Sequence, residues 1–148
     1  MFRTKLLAVG ILALVAVDAR AADIAVKDAW VRGAPTGIKV SAGYARIENA
    51  GPVADRLLSV STPAAGDASV HESSEKEGMM SMEPVEALTI PPKGAVELKP
   101  GSYHIMLMRL PGALAPGGTV PMEFTFERAG KITVDAKIAP LSAKEMPR

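Results

Sequence analysis

The chain has 148 residues, with 17 lysines and arginines, 16 aspartates and glutamates, and no cysteine. This balanced charge argues against a nucleic acid or an anionic membrane surface as the partner. The lack of cysteine excludes disulfide bonds, a lipid-modified cysteine anchor and every metal site that needs a thiolate.

Residues 1–21 have the pattern of a secretory signal peptide. Arg3 and Lys5 give a positive start, an apolar run follows, and Ala19-Arg20-Ala21 supplies small residues at the cleavage site. The apolar run is shorter than the roughly 20 residues that span a bilayer. We therefore expect cleavage near Ala21/Ala22, release into the periplasm and no membrane span in the mature chain.

After Ala21 the sequence is long enough for a single domain, which we assign to residues 22–138. Short β-branched or alternating runs recur between proline and glycine turns, and no window has a convincing helical period. We predict an all-β domain of nine strands in two stacked antiparallel sheets. The predicted strands are residues 24–32, 42–49, 56–61, 69–73, 79–84, 95–99, 103–110, 120–128 and 131–138.

The sequence also predicts which aromatic side chains are buried and where the folded domain ends. Trp30, Phe124 and Phe126 are expected to anchor the core, because large aromatics dominate burial in small domains. Residues 139–148 are expected to form a flexible polar tail.

Two histidines and two methionines in the middle strands are spaced like the ligands of one metal site. Ten residues separate His71 from Met82, twenty-one separate Met82 from His104, and only Ile105 separates His104 from Met106. Because alternate residues on a strand share a face, His104 and Met106 can offer a nitrogen and a sulfur to one ion, while Ile105 and Leu107 are expected to face the core. Imidazole and thioether ligands together form a soft, uncharged set that favours Cu(I).

Each of these residues taken alone has a simpler explanation. A single histidine on a strand is commonly a surface or hydrogen-bonded residue, and a single methionine commonly fills a gap in the core. Met79, Met80 and Met108 lie close to the four candidates but outside their spacing. We expect Met108 to pack and Met79 and Met80 to be exposed, with Met80 available as a substitute ligand during metal transfer.

The spacing of the four candidates and several other segments resemble the periplasmic copper chaperones of the PCu(A)C family. The resemblance covers residues 24–138. It includes Asp28-Ala29-Trp30, Gly43-Tyr44, Ile90-Pro91-Pro92, Leu98-Lys99-Pro100-Gly101, Tyr103-His104-Ile105-Met106-Leu107, Phe124-Thr125-Phe126 and Ala129-Gly130-Lys131.

The resemblance implies a cupredoxin-like Greek-key β-sandwich that carries Cu(I) on His71, Met82, His104 and Met106 and has no catalytic residues. It also implies delivery of copper to the CuA centre of cytochrome c oxidase subunit II, in some cases alongside a Sco-type protein. We expect the carrier to be a monomer. Two family features are missing, since Glu72 stands where some relatives have a methionine and the tail offers only Met146 for a second copper site.

Functions other than copper delivery are also compatible with parts of the sequence. A copper carrier could instead serve storage or resistance, and an exported β-sandwich could bind a protein or carbohydrate without any metal. A hydrolase is disfavoured because the sequence lacks a Gly-x-Ser-x-Gly nucleophile motif. A copper oxygenase with a terminal histidine ligand is disfavoured because Ala22 and Asp23 would begin the mature chain.

Overall fold

The computed structural model describes residues 23–147, so the predicted signal peptide lies outside the described residues. Within this range the chain forms ten strands and no helical element, which confirms the all-β prediction. No helix there is long and apolar enough to cross a membrane. The strands are β1 (Ile24–Arg32), β2 (Val40–Asn49), β3 (Asp55–Ser61), β4 (Asp67–Lys76), β5 (Met79–Pro84), β6 (Leu88–Ile90), β7 (Gly94–Leu98), β8 (Tyr103–Met108), β9 (Thr119–Phe126) and β10 (Gly130–Ala139).

The strands are joined by backbone hydrogen bonds in the order β5-β4-β8-β2-β1-β10-β9-β3-β6, and β7 pairs with the second half of β2. Most neighbours are not consecutive in the chain, as Greek-key connections require. The prediction of two separate antiparallel sheets is wrong in detail, because the hydrogen bonding is continuous and β1 pairs with β10 in parallel. The strand pattern of the sequence does not predict β6, since three residues are too few to establish an alternating pattern.

The main hydrophobic core lies between the folded-over halves of this sheet. Phe124 and Phe126 are buried in it, as predicted. Trp30 is buried too, but it belongs to a second cluster with Tyr44 and Ala139. The predicted burial of Trp30 is confirmed, and its partner in this smaller cluster is the Tyr44 ring, with centroids 4.5 Å apart.

The end of the chain, which we expected to be loose, lies against this second cluster. Ala143 and Met146 pack on it. The Arg32 Nε also donates a hydrogen bond to the Ala143 carbonyl at 3.2 Å. Residues beyond β10 thus cover Trp30 and Tyr44 on the face of the sheet that the metal-ligand candidates share.

A two-residue turn connects β4 to β5. Lys76 pairs with Met79, and the turn residues Glu77 and Gly78 have φ angles of 54° and 77°. Positive φ at both positions is the signature of a type I′ turn, whose twist suits an antiparallel hairpin. The turn fixes the hairpin register, which places Ser73 opposite Met82.

We expect Gly78→Ala to loosen this hairpin. An L-residue in the left-handed region costs about 1 kcal/mol, so opening of β5 should become about fivefold more frequent. Amide hydrogen exchange of β4 and β5 measures this opening. Gly112→Ala is the matched control, because its φ is not positive and an added Cβ would meet nothing within 4 Å. Equal protection in the two variants would contradict the role assigned to the turn.

Candidate metal centre

The pairing of β4 with β8 brings the only two histidines of the chain together. His71 lies directly opposite His104 in the antiparallel register. Residues opposite each other in such a pair project from the same face of the sheet. The ring centroids are 5.9 Å apart and the rings are inclined by 58°. Two strands that are far apart in sequence therefore supply a histidine pair.

The same register places both methionines on the histidine face. Met106 follows His104 by two residues on β8 and so shares its face. Met82 lies opposite Ser73, which follows His71 by two residues on β4. All four residues selected from the sequence are thus brought onto one face of the β5-β4-β8 ladder.

The opposite face of β8 belongs to the core. Ile105 and Leu107 are completely buried there. This confirms the alternation predicted for β8 from the sequence. The packing of these two side chains in the core fixes the direction in which His104 and Met106 project.

Exposure rises steeply from one side of the site to the other. His104 is 4% exposed, His71 and Met106 are half-buried, and Met82 on the outermost strand is 59% exposed. The site thus has one exposed side and one buried side, and His104 is buried although it does not point into the main core. The cover comes from neighbouring segments that include Ser73 and Ser102.

An open cavity of about 410 Å³ leads to this face. Met82, His104 and Met106 line it, together with Met80, whereas His71 does not. On the far side, the wall includes Arg32, Tyr44 and Leu141. Sequence reasoning missed this wall, because it is formed where the chain end meets β1 and β2.

Two imidazole nitrogens of the histidine pair are buried without a hydrogen-bond partner. They are Nδ1 of His71 and Nε2 of His104. A buried polar atom left unpaired costs about 1–3 kcal/mol, so each of these nitrogens needs a partner, and a bound ligand can provide one.

The other nitrogen of His104 explains why its Nε2 is free. His104 Nδ1 lies 3.4 Å from the Ser102 carbonyl and 3.5 Å from the Ser73 hydroxyl. A carbonyl oxygen only accepts hydrogen bonds, so Nδ1 carries the proton and donates it to Ser102. The Nε2 lone pair is then available to a metal, in the arrangement that commonly orients histidine ligands.

The surroundings of the His104 ring disfavour its protonated form. Burial lowers the pKa of His104 below its ordinary value of 6.5, the hydrogen bond to Ser102 opposes this, and the nearby His71 and Arg32 lower it further. A neutral imidazole is the form that binds a metal. The guanidinium of Arg32 is held nearby over the Tyr44 ring, with 5.5 Å between its carbon and the ring centroid.

The donor set has a clear chemical preference. Among residues 23–147, no group of three or more histidine, cysteine, aspartate or glutamate side chains could hold a metal ion. The donors that this face presents are the two imidazoles and the thioethers of Met82 and Met106. Such a set fits a soft ion of low charge and does not fit Mg²⁺ or Ca²⁺, which prefer oxygen ligands.

Comparison with known proteins decides the family. A family described as "Putative lipoprotein LpqE-like" matches residues 24–138. The chain belongs to the LpqE-like family. One similar protein is the putative lipoprotein Lxx21020 of Leifsonia xyli subsp. xyli, which is 29% identical to this chain over 104 residues. This match covers 70% of the chain and 61% of that relative.

Solved structures of PCuAC domains have the same fold. The apo PCuAC domain from PmoF1 is 28% identical, with a TM-score of 0.68, and the match covers 80% of this chain and 94% of that domain. The Cu(I) form of DR1885 from Deinococcus radiodurans is 29% identical, with a TM-score of 0.62, and the match covers 75% and 74% of the two chains. The resemblance to the PCu(A)C family and the cupredoxin-like β-sandwich predicted from sequence are confirmed.

The lowered pKa of His104 predicts how acid affects the metal-free protein. In the unfolded chain this histidine binds a proton near pH 6.5, whereas the folded protein resists protonation. The unfolded state therefore holds more protons, and folding stability should fall as the pH drops from about 7 to 5.

Urea unfolding of the metal-free protein at pH 7.5 and pH 5.0 measures this loss. His104→Gln should lose less stability over this pH range, because glutamine does not titrate and the carboxylates contribute equally to the pH dependence of both proteins. An identical loss in both would mean that His104 is not held neutral by its surroundings.

Proposed function

We propose that this protein is a periplasmic copper chaperone that binds one Cu(I) through His71, Met82, His104 and Met106. The observation that carries the proposal is the pair of buried imidazole nitrogens without partners, on the face that also presents the two methionines. The Cu(I) form of the related DR1885 supports the choice of metal. The protein acts as a carrier and not as a catalyst.

The charges around the proposed site favour Cu(I) over Cu(II). All four ligands are neutral, so the bound ion keeps its full charge in a partly buried site. Arg32 lines the same cavity, and its positive charge repels a divalent ion about twice as strongly as a monovalent one. Soft thioethers add a further preference for Cu(I). We therefore expect Cu(I) to be bound much more tightly than Cu(II) or Zn²⁺.

The gradient of exposure suits transfer to another protein. His104 is closed off from solvent, while Met82 on the edge strand β5 is open to it. Ligands of a recipient can approach from the Met82 side while His104 and Met106 still hold the ion. We propose that the recipient is the CuA site of cytochrome c oxidase subunit II, with a Sco-type protein as a further partner.

The proposed location is the periplasm. The signal-like pattern of residues 1–21 and membership of a family described as lipoproteins both support an exported protein. Cleavage near Ala21/Ala22 is part of the same proposal.

The ligand set is tested by anaerobic Cu(I) titration against a competing chelator, with X-ray absorption of the loaded protein. We expect one copper with about two sulfur and two nitrogen neighbours. Met106→Leu should weaken binding roughly tenfold or more and remove one sulfur. Met108→Leu is the matched control, since Met108 lies on the same strand and face but does not line the cavity. Similar affinities for the two variants would contradict a ligand role for Met106.

Delivery is tested separately by mixing the Cu(I)-loaded protein with the metal-free soluble domain of subunit II. Native mass spectrometry of the two proteins over time follows the copper. Transfer should be faster than spontaneous release to a dilute chelator, because the recipient attacks the loaded site directly. Transfer no faster than that release would exclude this recipient and favour copper storage or resistance.

A further inference from the structure

Met80 occupies a position in the cavity that the four-residue ligand set does not explain. It precedes Met82 by two residues on β5, so both side chains lie on the same face. Met80, Met82, His104 and Met106 all line the open cavity, whereas His71 is absent from its wall. Three thioethers therefore line the cavity beside the buried His104, and those of Met80 and Met82 are the exposed ones.

The exposure of Met80 is unusual for a residue of its type. Its side chain is 66% exposed, and it lies on an outermost strand where it fills no gap in the core. Met79 is similarly exposed, at 74%. Strand alternation turns Met79 to the other face, and it does not line the cavity. Met79 and Met80 thus have similar exposure but project from opposite faces of β5.

We propose that Met80 is a relay ligand, which binds Cu(I) at the cavity mouth during loading and release but not in the resting site. This inference rests on the proposed function. In the relay step one Cu–S bond to Met80 forms as one bond to a resident ligand breaks. Copper remains Cu(I), and no electron or proton is transferred.

A relay ligand has a distinct kinetic effect. It keeps the ion coordinated while resident ligands exchange, so it lowers the barrier in both directions. The rates of loading and release then change by the same factor, and the equilibrium affinity does not change. A resident ligand has the opposite effect, because its loss weakens affinity mainly through faster release.

The first test compares Met80→Leu with Met79→Leu in the mature protein. Leucine keeps the apolar volume but removes the sulfur. Stopped-flow mixing with bicinchoninate measures Cu(I) release, and the reverse mixing measures loading. For Met80→Leu we expect both rates to fall about tenfold with an affinity within about twofold of the unmodified protein. Met79→Leu should match the unmodified protein in all three quantities.

The outcomes separate this inference from the function on which it rests. Equal rates of loading and release in Met80→Leu and Met79→Leu would overturn the relay. A lower affinity of Met80→Leu for Cu(I) with an unchanged loading rate would also overturn it, because Met80 would then be a resident ligand. An unmodified protein that binds no Cu(I) would instead overturn the proposed function.

A second test uses variants in which Met82 is already replaced. If Met80 reaches the ion, Met82→Leu should still bind Cu(I) with two sulfur neighbours, from Met106 and Met80. Adding Met80→Leu should leave one sulfur by X-ray absorption, while adding Met79→Leu should leave two. One sulfur in Met82→Leu alone would show that Met80 cannot reach the ion, and the relay would be wrong.

Discussion

The register between β4 and β8 is the constraint on which the rest of the site depends. Because it sets His71 opposite His104, a slip of one residue would turn a whole strand to its other face and separate the two imidazoles. Burial of Ile105 and Leu107 opposes such a slip, since it would bring His104 and Met106 into the core. The burial of one face of β8 in the hydrophobic core thus determines that the candidate ligands project from the other face.

The free imidazole nitrogens show how stability and function are balanced here. His104 is buried, neutral and hydrogen-bonded on only one side of its ring. In the metal-free protein the unpaired nitrogens of His104 and His71 lower stability, because each has lost its contact with water. An ion that accepts both lone pairs recovers this free energy, so ligand binding and folding stability are coupled through the same atoms.

The site is closed on one side and open on the other, and different parts of the fold are responsible. Arg32 and Tyr44, together with the end of the chain, cover the inner side. The outer side is formed by the edge strand β5, which carries the exposed Met80 and Met82. This asymmetry is what the proposed transfer requires, because an ion held on the inner side could be reached by a second protein's ligands from the outer side.

The sequence by itself determined the all-β class, the four candidate ligands and the inward direction of Ile105, because strand alternation and residue chemistry are local properties. Other features could be decided only by the tertiary structure. The parallel pairing of β1 with β10, the separation of Trp30 from the main core and the packing of residues 139–147 all join parts of the chain that are distant in sequence. The same holds for the burial of His104, which depends on the segments folded over it, and no local pattern records which distant segment will cover a given face.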